Sequence, residues 1–197
     1  MDERRAFRRG ALLDTALDLI GENGCAAVTV RSLCRASALT DRYFYESFPN
    51  RDALLVELYE QVAAEAHDAL VAAVPGTARE DEQIRAAVEE FVRLTIDDPR
   101  KGRLLLVEPL SEPALNGLSI ATVPRFTKLV LQQIPHELGR TKRALIATGL
   151  AGSLGAIFLS WLSGQLKATR QEIIDHCVEI LLAATKTGVA TRSPDSA

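Results

Sequence analysis

The sequence has few residues of the kinds that bind metals or form disulfide bonds. Its three cysteines, Cys25, Cys34 and Cys177, form no Cys-x-x-Cys pair, and its three histidines are isolated. We therefore expect neither a disulfide framework nor a zinc site, and no metal ion or other cofactor. Unpaired thiols of this kind are typical of proteins in the reducing cytoplasm.

Two further absences bear on catalysis. No segment alternates polar and apolar residues for long enough to predict a β-strand, and there is no glycine-rich phosphate loop. The nearest approach to a catalytic motif is Gly-Ser-Leu-Gly at residues 152–155, which is one residue short of a nucleophile elbow and falls within a predicted helix. Since no cluster of acid, base and nucleophile is visible, we expect a protein that is not an enzyme.

The charge of the chain is nearly balanced, with 23 basic and 26 acidic residues and a net charge of −3. Such a molecule does not attract nucleic acid as a whole, so any contact with DNA must be local. Arginines concentrate near the N-terminus, at Arg4, Arg5, Arg8 and Arg9. Acidic residues interrupt the apolar positions that follow, so this segment lacks the apolar core of a signal peptide.

Apolar residues recur at helical spacing along the chain and predict an all-α fold of about nine helices. Short helices are expected up to Asn50, which can cap the first of several longer ones. The last helix is expected to begin at a capping box formed by Thr169 and Glu172. The segment 109–124 holds three prolines and predicts a broken connection, and residues 189–197 predict a disordered tail.

The longest uncharged segment, residues 144–166, has two interpretations. It is long enough to cross a bilayer, although many small and polar residues dilute its hydrophobicity. Small residues recur at four-residue steps, at Gly149 and Ser153 and at Gly152 and Ala156, and this spacing lets a second helix approach closely. We therefore favour burial against a partner subunit over a membrane span.

Two short helices between residues 28 and 54 have the spacing of a helix-turn-helix, whose second helix lies in the DNA major groove. That second helix is expected to begin after Thr40, a good N-cap. On a helical wheel Phe44 and Phe48 point together and pack on the preceding helices. The opposite face is therefore available to DNA.

Three side chains on this short helix are candidates for DNA contact. Arg42 can pair with a guanine edge, Tyr43 can pack on a thymine methyl or bind phosphate, and Tyr45 can donate its hydroxyl to phosphate. Each has a simpler alternative, since Arg42 can form an exposed ion pair with Glu46, four residues on, and Tyr43 can serve in packing. We favour DNA contact because packing alone does not explain two tyrosines and an arginine on one short helix.

Several runs in the first 58 residues form a pattern. They are ALLDTALDLI at 11–20, a glycine at 24, TVRSL at 29–33 and YFYESFPNRDALL at 43–55. This pattern resembles the N-terminal region of TetR-family regulators. The resemblance implies a helix-turn-helix DNA-binding domain over residues 1–50 and a helical dimerisation and effector-binding domain over residues 51–188.

The resemblance also implies how such a protein works. A homodimer would bind double-stranded DNA at a palindromic operator, most often as a repressor, and a small hydrophobic effector would release it. A relative that responds to a protein partner instead of an effector is an open alternative, and a membrane-associated helical protein is a less favoured one.

Two positions depart from the family pattern. Ala38 stands in the turn where relatives often have glycine, and a left-handed backbone there would cost about 1 kcal/mol for alanine. Asp41 stands where many relatives have lysine or another neutral-to-basic residue, so we expect the N-terminal arginines to supply a phosphate contact in its place.

These considerations name three sets of residues. The DNA-binding candidates are Arg4, Arg5, Arg8, Thr29, Arg31, Thr40, Arg42, Tyr43, Tyr45 and Arg51. The effector-binding candidates are Phe91, Thr95, Glu108, Phe126, Phe158 and Trp161, which can surround a cavity with few polar anchors. The dimer-interface candidates are Gly149, Gly152, Ser153, Ala156, Ser160, Ile174, Val178 and Leu181.

Overall fold

The computed structural model describes residues 2–74, 79–134, 136 and 138–186. These residues form nine α-helices and no strand, as predicted. The helices are α1 (Asp2–Asn23), α2 (Val30–Ala36), α3 (Asp41–Ser47), α4 (Arg51–Ala73), α5 (Glu80–Val92), α6 (Pro99–Gly102), α7 (Pro113–Gln132), α8 (Arg140–Leu162) and α9 (Arg170–Lys186). The tail predicted at residues 189–197, and the domain end predicted at residue 188, lie outside the described residues.

The chain divides into two compact units. Unit 1 consists of Met1–Glu65 and Leu94–Ala121, and unit 2 consists of Ala66–Arg93 and Thr122–Ala197. This grouping differs from a boundary after residue 50, because the first part of α4 and the segment after residue 93 pack with the first three helices. Unit 1 therefore contains more than the helix-turn-helix itself.

The core of unit 1 orients α3. The stripe of α1 formed by Leu12, Ala16 and Ile20 is completely buried, and Phe44 of α3 and Phe48, the residue after α3, are buried as well. The helical wheel predicted that these two rings point inward. Since the apolar side of α3 is used in packing, its opposite side faces solvent.

Local hydrogen bonds fix where the short helices begin. The Thr29 hydroxyl accepts from the Ser32 amide at 3.0 Å, and the Ser32 hydroxyl accepts from the Thr29 amide at 2.9 Å, which starts α2. Asn50 caps α4 as predicted, since its side-chain oxygen accepts from the Ala53 amide at 2.8 Å. Thr40 precedes α3 as predicted, but among the described residues its hydroxyl makes no capping bond. Packing of α3, rather than a cap, therefore holds that helix.

In unit 2, helices α5 and α9 pack against each other. Ile84 and Val88 of α5 are buried, and so are Ile174, Val178 and Leu181 of α9. The structure therefore places these three residues, which were predicted at a subunit interface, in the core of unit 2. Their apolar face is covered within a single chain, so it offers no surface to a partner.

Charged groups fix the start and the position of α9. The Thr169 amide donates to the Glu172 carboxylate at 2.7 Å, and the Glu172 amide donates to the Thr169 hydroxyl at 3.2 Å, which confirms the predicted capping box. Hydrogen bonding from Thr169 lowers the pKa of Glu172. An ion pair between Arg85 of α5 and Asp175, with 3.1 Å between Nη1 and Oδ1, joins the two helices.

The prediction of a broken connection over residues 109–124 is wrong. Pro109 lies in a short 3-10 turn, but α7 begins at Pro113 and continues through Pro124. Proline suits the first position of a helix, because its missing amide proton would have no partner there. The segment is therefore mainly regular helix.

Candidate nucleic-acid interface

The solvent side of α3 displays two side chains that can bind DNA. The Arg42 side chain is 84% exposed and Tyr45 is 59% exposed, whereas Tyr43 is half-buried. The Tyr45 ring contacts the Phe44 ring edge-on, with 5.2 Å between the centroids. Arg42 and Tyr45 are thus the most accessible of the three residues predicted on this face.

Both simpler alternatives for this face are also observed. Arg42 Nε lies 3.0 Å from Glu46 Oε1, and the Tyr43 ring lies beneath the guanidinium of Arg8, with 4.3 Å between the Arg8 Cζ atom and the ring centroid. An exposed pair four residues apart on a helix contributes only about 0.3–0.5 kcal/mol. A guanine edge or a phosphate can therefore replace Glu46 as the partner of Arg42 at little cost.

Two arginines of α1 form hydrogen bonds to the backbone at the C-terminal end of α3. Arg5 Nη2 donates to the Glu46 carbonyl oxygen, and Arg9 Nη1 donates to the Ser47 carbonyl oxygen. Arg9 also forms a two-bond ion pair with Glu57 of α4. The N-terminal turns of α1 are therefore fixed beside α3, and Arg9 serves mainly in structure.

The remaining predicted DNA contacts differ in exposure. Arg4 and Arg5 are exposed, whereas Arg8 is partly covered by its contacts with Tyr43 and, at 3.8 Å, with Glu46. Residues at the start of α2 and just before α3 are also exposed, namely Thr29, Arg31 and Thr40. Because these side chains are exposed, they remain candidates for phosphate contact.

Arg51 does not have the position expected of a DNA contact. Its Nε donates to the Val28 carbonyl oxygen at 2.7 Å, and its Nη2 donates to the Cys25 carbonyl oxygen and to Glu112, each at 2.7 Å. Nη1 donates to Asp52 at 3.1 Å. All three guanidinium nitrogens are therefore engaged within unit 1, and we remove Arg51 from the DNA-binding set.

Glu108, which was predicted to bind an effector, likewise lies in a hydrogen-bonded network within unit 1. One carboxylate oxygen accepts from the Cys25 amide and the other from Arg103 Nε, both at 2.7 Å, and the residue is only 5% exposed. Gly24 allows this arrangement, because its φ is +79° and a Cβ there would lie 2.7 Å from Arg103 Nη2. Thr95, another effector candidate, is also in unit 1 and fully buried.

The thiols are unsuited to nucleophilic chemistry. Burial raises the pKa of Cys177 to about 11, and burial together with a hydrogen bond to Asp41 raises that of Cys34 to about 11. Burial also raises the pKa of Cys25. All three are protonated at neutral pH and are therefore poor nucleophiles and metal ligands. The described residues contain no cluster of potential metal ligands.

Unit 2 brings three of the effector candidates together. Phe91 contacts Phe158 and Phe126 edge-on, with ring centroids 4.7 and 6.3 Å apart, and His67 extends this group with its ring 6.5 Å from that of Phe126. Trp161 is placed differently, since its indole nitrogen donates to the carbonyl oxygen of Ala168 at 2.8 Å. We call Phe91, Phe126, Phe158 and His67 the aromatic cluster.

Arg143 of α8 is a polar residue that the sequence analysis missed. Its Nη2 donates to the Leu131 carbonyl oxygen of α7 at 3.0 Å, but its Nε is buried with no partner among the described residues. The neighbouring core consists of apolar side chains, with Ile134 and Ala147 at its centre. A buried N–H without an acceptor is costly, so this atom is a candidate contact for an anionic group.

The predicted interface residues of α8 are on an uncovered surface. Gly149, Gly152 and Ala156 are exposed, Leu145 beside them is 70% exposed, and nothing lies within 4 Å of a Cβ built on either glycine. Ser153 and Ser160 are partly exposed on the edge of this stripe. Of the described helices, α8 alone is long and apolar enough to cross a membrane, and only 11% of its most apolar window is buried.

Comparison with known proteins agrees with this geometry. Residues 12–58 match the family described as bacterial regulatory proteins, tetR family. An HTH-type transcriptional regulator, BetI of Rhizobium meliloti (strain 1021), is 30% identical over 86 residues, a match that covers 44% of this chain and 42% of that relative's own length. The chain therefore matches well under half of that relative.

Solved structures resemble the chain over most of its length. The fatty acid degradation regulator FadR of Bacillus halodurans has a TM-score of 0.75 at 16% identity, covering 89% of this chain and 94% of its own. A TetR-like regulator from Rhodococcus sp. RHA1 has a TM-score of 0.70 at 18% identity, and the match covers 94% of this chain and 97% of that regulator. FadR of Bacillus subtilis, solved in complex with stearoyl-CoA, has a TM-score of 0.71 at 14% identity, and the match covers 88% of this chain and 97% of that protein.

The buried Phe44 and Phe48, with Arg42 and Tyr45 on the opposite side of α3, define a helix-turn-helix protein. Over residues 12–58 the chain is therefore similar to bacterial regulatory proteins of the tetR family.

Proposed function

We propose that the protein is a DNA-binding transcriptional repressor that acts as a homodimer on a palindromic operator and is released by an amphipathic effector. The observation that carries DNA binding is the exposure of Arg42 and Tyr45 on a recognition helix whose other side is buried. In this arrangement Arg42 contacts a base edge, while Tyr45 and the α1 arginines contact phosphates.

Selection from a random duplex library tests the DNA-binding proposal. A symmetric dimer should enrich an inverted repeat whose half-sites lie about one helical turn, roughly 10 base pairs, or a multiple of it apart. Placed upstream of a reporter gene, the enriched site should lower expression when the protein is present. Failure to enrich any sequence at low salt would contradict the proposal.

The uncovered stripe of α8 supports the homodimer. An apolar helix with Gly149, Gly152 and Ala156 along one side lets a second copy of the same helix approach closely. Replacing Gly152 by Trp should separate the two copies, with a cost of about 1–3 kcal/mol at each of the two symmetric sites. Sedimentation of wild type should show twice the 21.4 kDa mass, and an unchanged dimer in the variant would contradict the assignment. If the protein expressed in cells were instead recovered with the membrane fraction after centrifugation, that result would favour the alternative in which α8 spans a membrane.

The aromatic cluster and Arg143 support the effector proposal. The cluster offers Phe91 and Phe126 as half-buried rings, and the unpartnered Nε of Arg143 can receive an anionic group. Arg143 and Phe158 lie on one helix, roughly 22 Å apart at 1.5 Å per residue. We therefore propose an elongated effector with an apolar chain and one anionic end, a class to which the stearoyl-CoA bound by the Bacillus subtilis relative belongs.

Calorimetry with long-chain fatty acids and their uncharged alcohols tests this proposal. Wild type should prefer the acid, and Arg143→Gln should remove that preference while retaining binding of the alcohol. Phe126→Ala should weaken both. For tenfold release of the operator, the acid need favour the unbound form by only about 1.4 kcal/mol. Equal binding of acid and alcohol by wild type would contradict the role of Arg143.

A further inference from the structure

The ion pair between Arg42 and Glu46 uses only one nitrogen of the Arg42 guanidinium. Nε donates to Glu46 Oε1 at 3.0 Å, and within the part of the chain that the structure describes Arg42 makes no other hydrogen bond or ion pair. Its Nη1 and Nη2 atoms are therefore available, and the side chain is 84% exposed. Since two parallel N–H groups are enough to bind the O6 and N7 atoms of guanine, Arg42 can contact a base while it keeps its bond to Glu46.

Glu46 is itself held in place by α1. Arg5 Nη2 donates to the Glu46 carbonyl oxygen, which ties the backbone at the end of α3 to α1. The carboxylate lies between two arginines, because Oε1 accepts from Arg42 Nε and Oε2 lies 3.8 Å from Arg8 Nη2. The Arg8 guanidinium in turn lies over the Tyr43 ring, with 4.3 Å between its Cζ atom and the ring centroid. Glu46 is therefore an anchored partner for Arg42.

Helix stability does not explain an acidic residue at position 46. Glu46 is in the last turn of α3, where the helix dipole disfavours a negative charge. An acid four residues after its basic partner is also the weaker orientation for an ion pair along a helix. On a surface that faces DNA, a carboxylate repels the phosphates as well. These costs indicate that Glu46 contributes through its contacts with the arginines.

We propose that Glu46 is a positioning residue for sequence recognition. By binding Nε, it holds the Arg42 guanidinium in an orientation that leaves both terminal nitrogens for a guanine edge. A free arginine side chain loses conformational entropy when it binds a base, and it can turn to the nearest phosphate instead. The bond to Glu46 restricts this freedom before DNA binds, so Arg42 discriminates better between bases. This inference rests on the proposed DNA-binding function.

Fluorescence anisotropy with the selected operator and its single base-pair variants tests this role. The base pair read by Arg42 is the one at which Arg42→Ala loses most discrimination. Glu46→Gln should lower discrimination at that base pair about threefold to tenfold, while it raises the affinity for unrelated DNA because a negative charge is removed. Asp41→Asn is the matched control, since it removes an exposed carboxylate from the same helix. It should raise the affinity for all sequences equally and leave discrimination unchanged.

A double variant shows whether Glu46 acts through Arg42. The protein with both Arg42→Ala and Glu46→Gln should discriminate at this base pair as poorly as Arg42→Ala alone. A further loss in the double variant, or a loss at a different base pair in Glu46→Gln, would overturn the inference in favour of a direct contact between Glu46 and a base. Nitrogen-15 NMR adds a direct readout. In the operator complex, the Arg42 Nε–H signal should be protected from solvent exchange in wild type and lose that protection in Glu46→Gln.

The outcomes separate this inference from the proposed function. Glu46→Gln keeps the length of the side chain, and circular dichroism checks that the variant folds. Unchanged discrimination in the folded Glu46→Gln variant would overturn the inference and leave DNA binding intact. An Arg42 Nε–H signal that exchanges freely in the wild-type complex would do the same, as would an Arg42→Ala variant that keeps full discrimination at every base pair. Failure of wild type to bind any DNA would overturn both.

Discussion

Replacing Ala38 by glycine should stabilise the protein, because Ala38 occupies a backbone conformation that alanine disfavours. It lies in the turn between α2 and α3 with φ +55°, the only non-glycine residue described with positive φ. An L-residue in this region costs roughly 1–2 kcal/mol. Its side chain is exposed, so removing the methyl group sacrifices no core packing.

The size of the gain is set by two opposing effects. Glycine removes the strain, but it also raises the conformational entropy of the unfolded chain, which offsets roughly 0.5–1 kcal/mol. The net stabilisation should be about 0.5–1 kcal/mol. For a chain of this size, that raises Tm by roughly 1–4 °C.

A matched control lies two residues earlier. Ala36 is also exposed, but it is the last residue of α2 and has ordinary helical geometry. Ala36→Gly should therefore destabilise the protein, by up to about 1 kcal/mol. Guanidinium denaturation followed by circular dichroism measures both variants. If Ala38→Gly lowered stability as Ala36→Gly does, the assignment of strain to Ala38 would be refuted.

Two further predictions concern the buried charges of unit 1. Glu108→Ala leaves the Cys25 amide and Arg103 without their shared partner and should cost roughly 3 kcal/mol in the free energy of unfolding, measured by urea denaturation; a cost below about 1 kcal/mol would argue against the network. Hydrogen bonding from Arg51 lowers the pKa of Glu112 below its usual 4.5, so its stabilising effect should be present at neutral pH and disappear as pH falls below that value. Wild type should therefore be more stable than Glu112→Gln at pH 7, and the difference should shrink toward pH 3. A difference independent of pH would contradict the ion pair.

The parts of the fold that depend on local pattern could be predicted from the sequence. The inward position of Phe44 and Phe48 follows from their spacing on one short helix. The Asn50 cap and the box of Thr169 and Glu172 are likewise set by residues three apart. Each of these predictions needed only contacts within one or two turns.

Contacts between residues far apart in the chain could not be predicted from the sequence. The spacing in the sequence does not reveal that Arg51 pairs with Glu112, 61 residues away, so its proximity to the recognition helix suggested DNA contact instead. In the same way, Ile174 and Val178 form an apolar face that periodicity detects, but only the structure shows that α5 covers it.

The break predicted at residues 109–124 was wrong for a different reason, which is the position of each proline in the helix. A proline disrupts a helix only where a missing amide bond or a steric clash matters, and at the first position of α7 neither applies. Pro124 is accepted within the helix at a site that is exposed to solvent, where the unpaired carbonyl can be hydrated. Composition alone does not distinguish these positions from a true break.

The most direct test of DNA recognition through α3 compares wild type with a variant in which Arg42, Tyr43 and Tyr45 are all replaced by alanine. Loss of one base contact and one or two phosphate contacts should cost about 3–4 kcal/mol, an affinity loss of roughly 100-fold or more. Gel shifts on the selected operator measure it, with circular dichroism to show that the variant folds and Ala36→Gly as a control outside the DNA-facing side of α3. The account predicts that the folded variant loses the operator complex at concentrations that saturate wild type. Equal binding by the folded triple variant would contradict it.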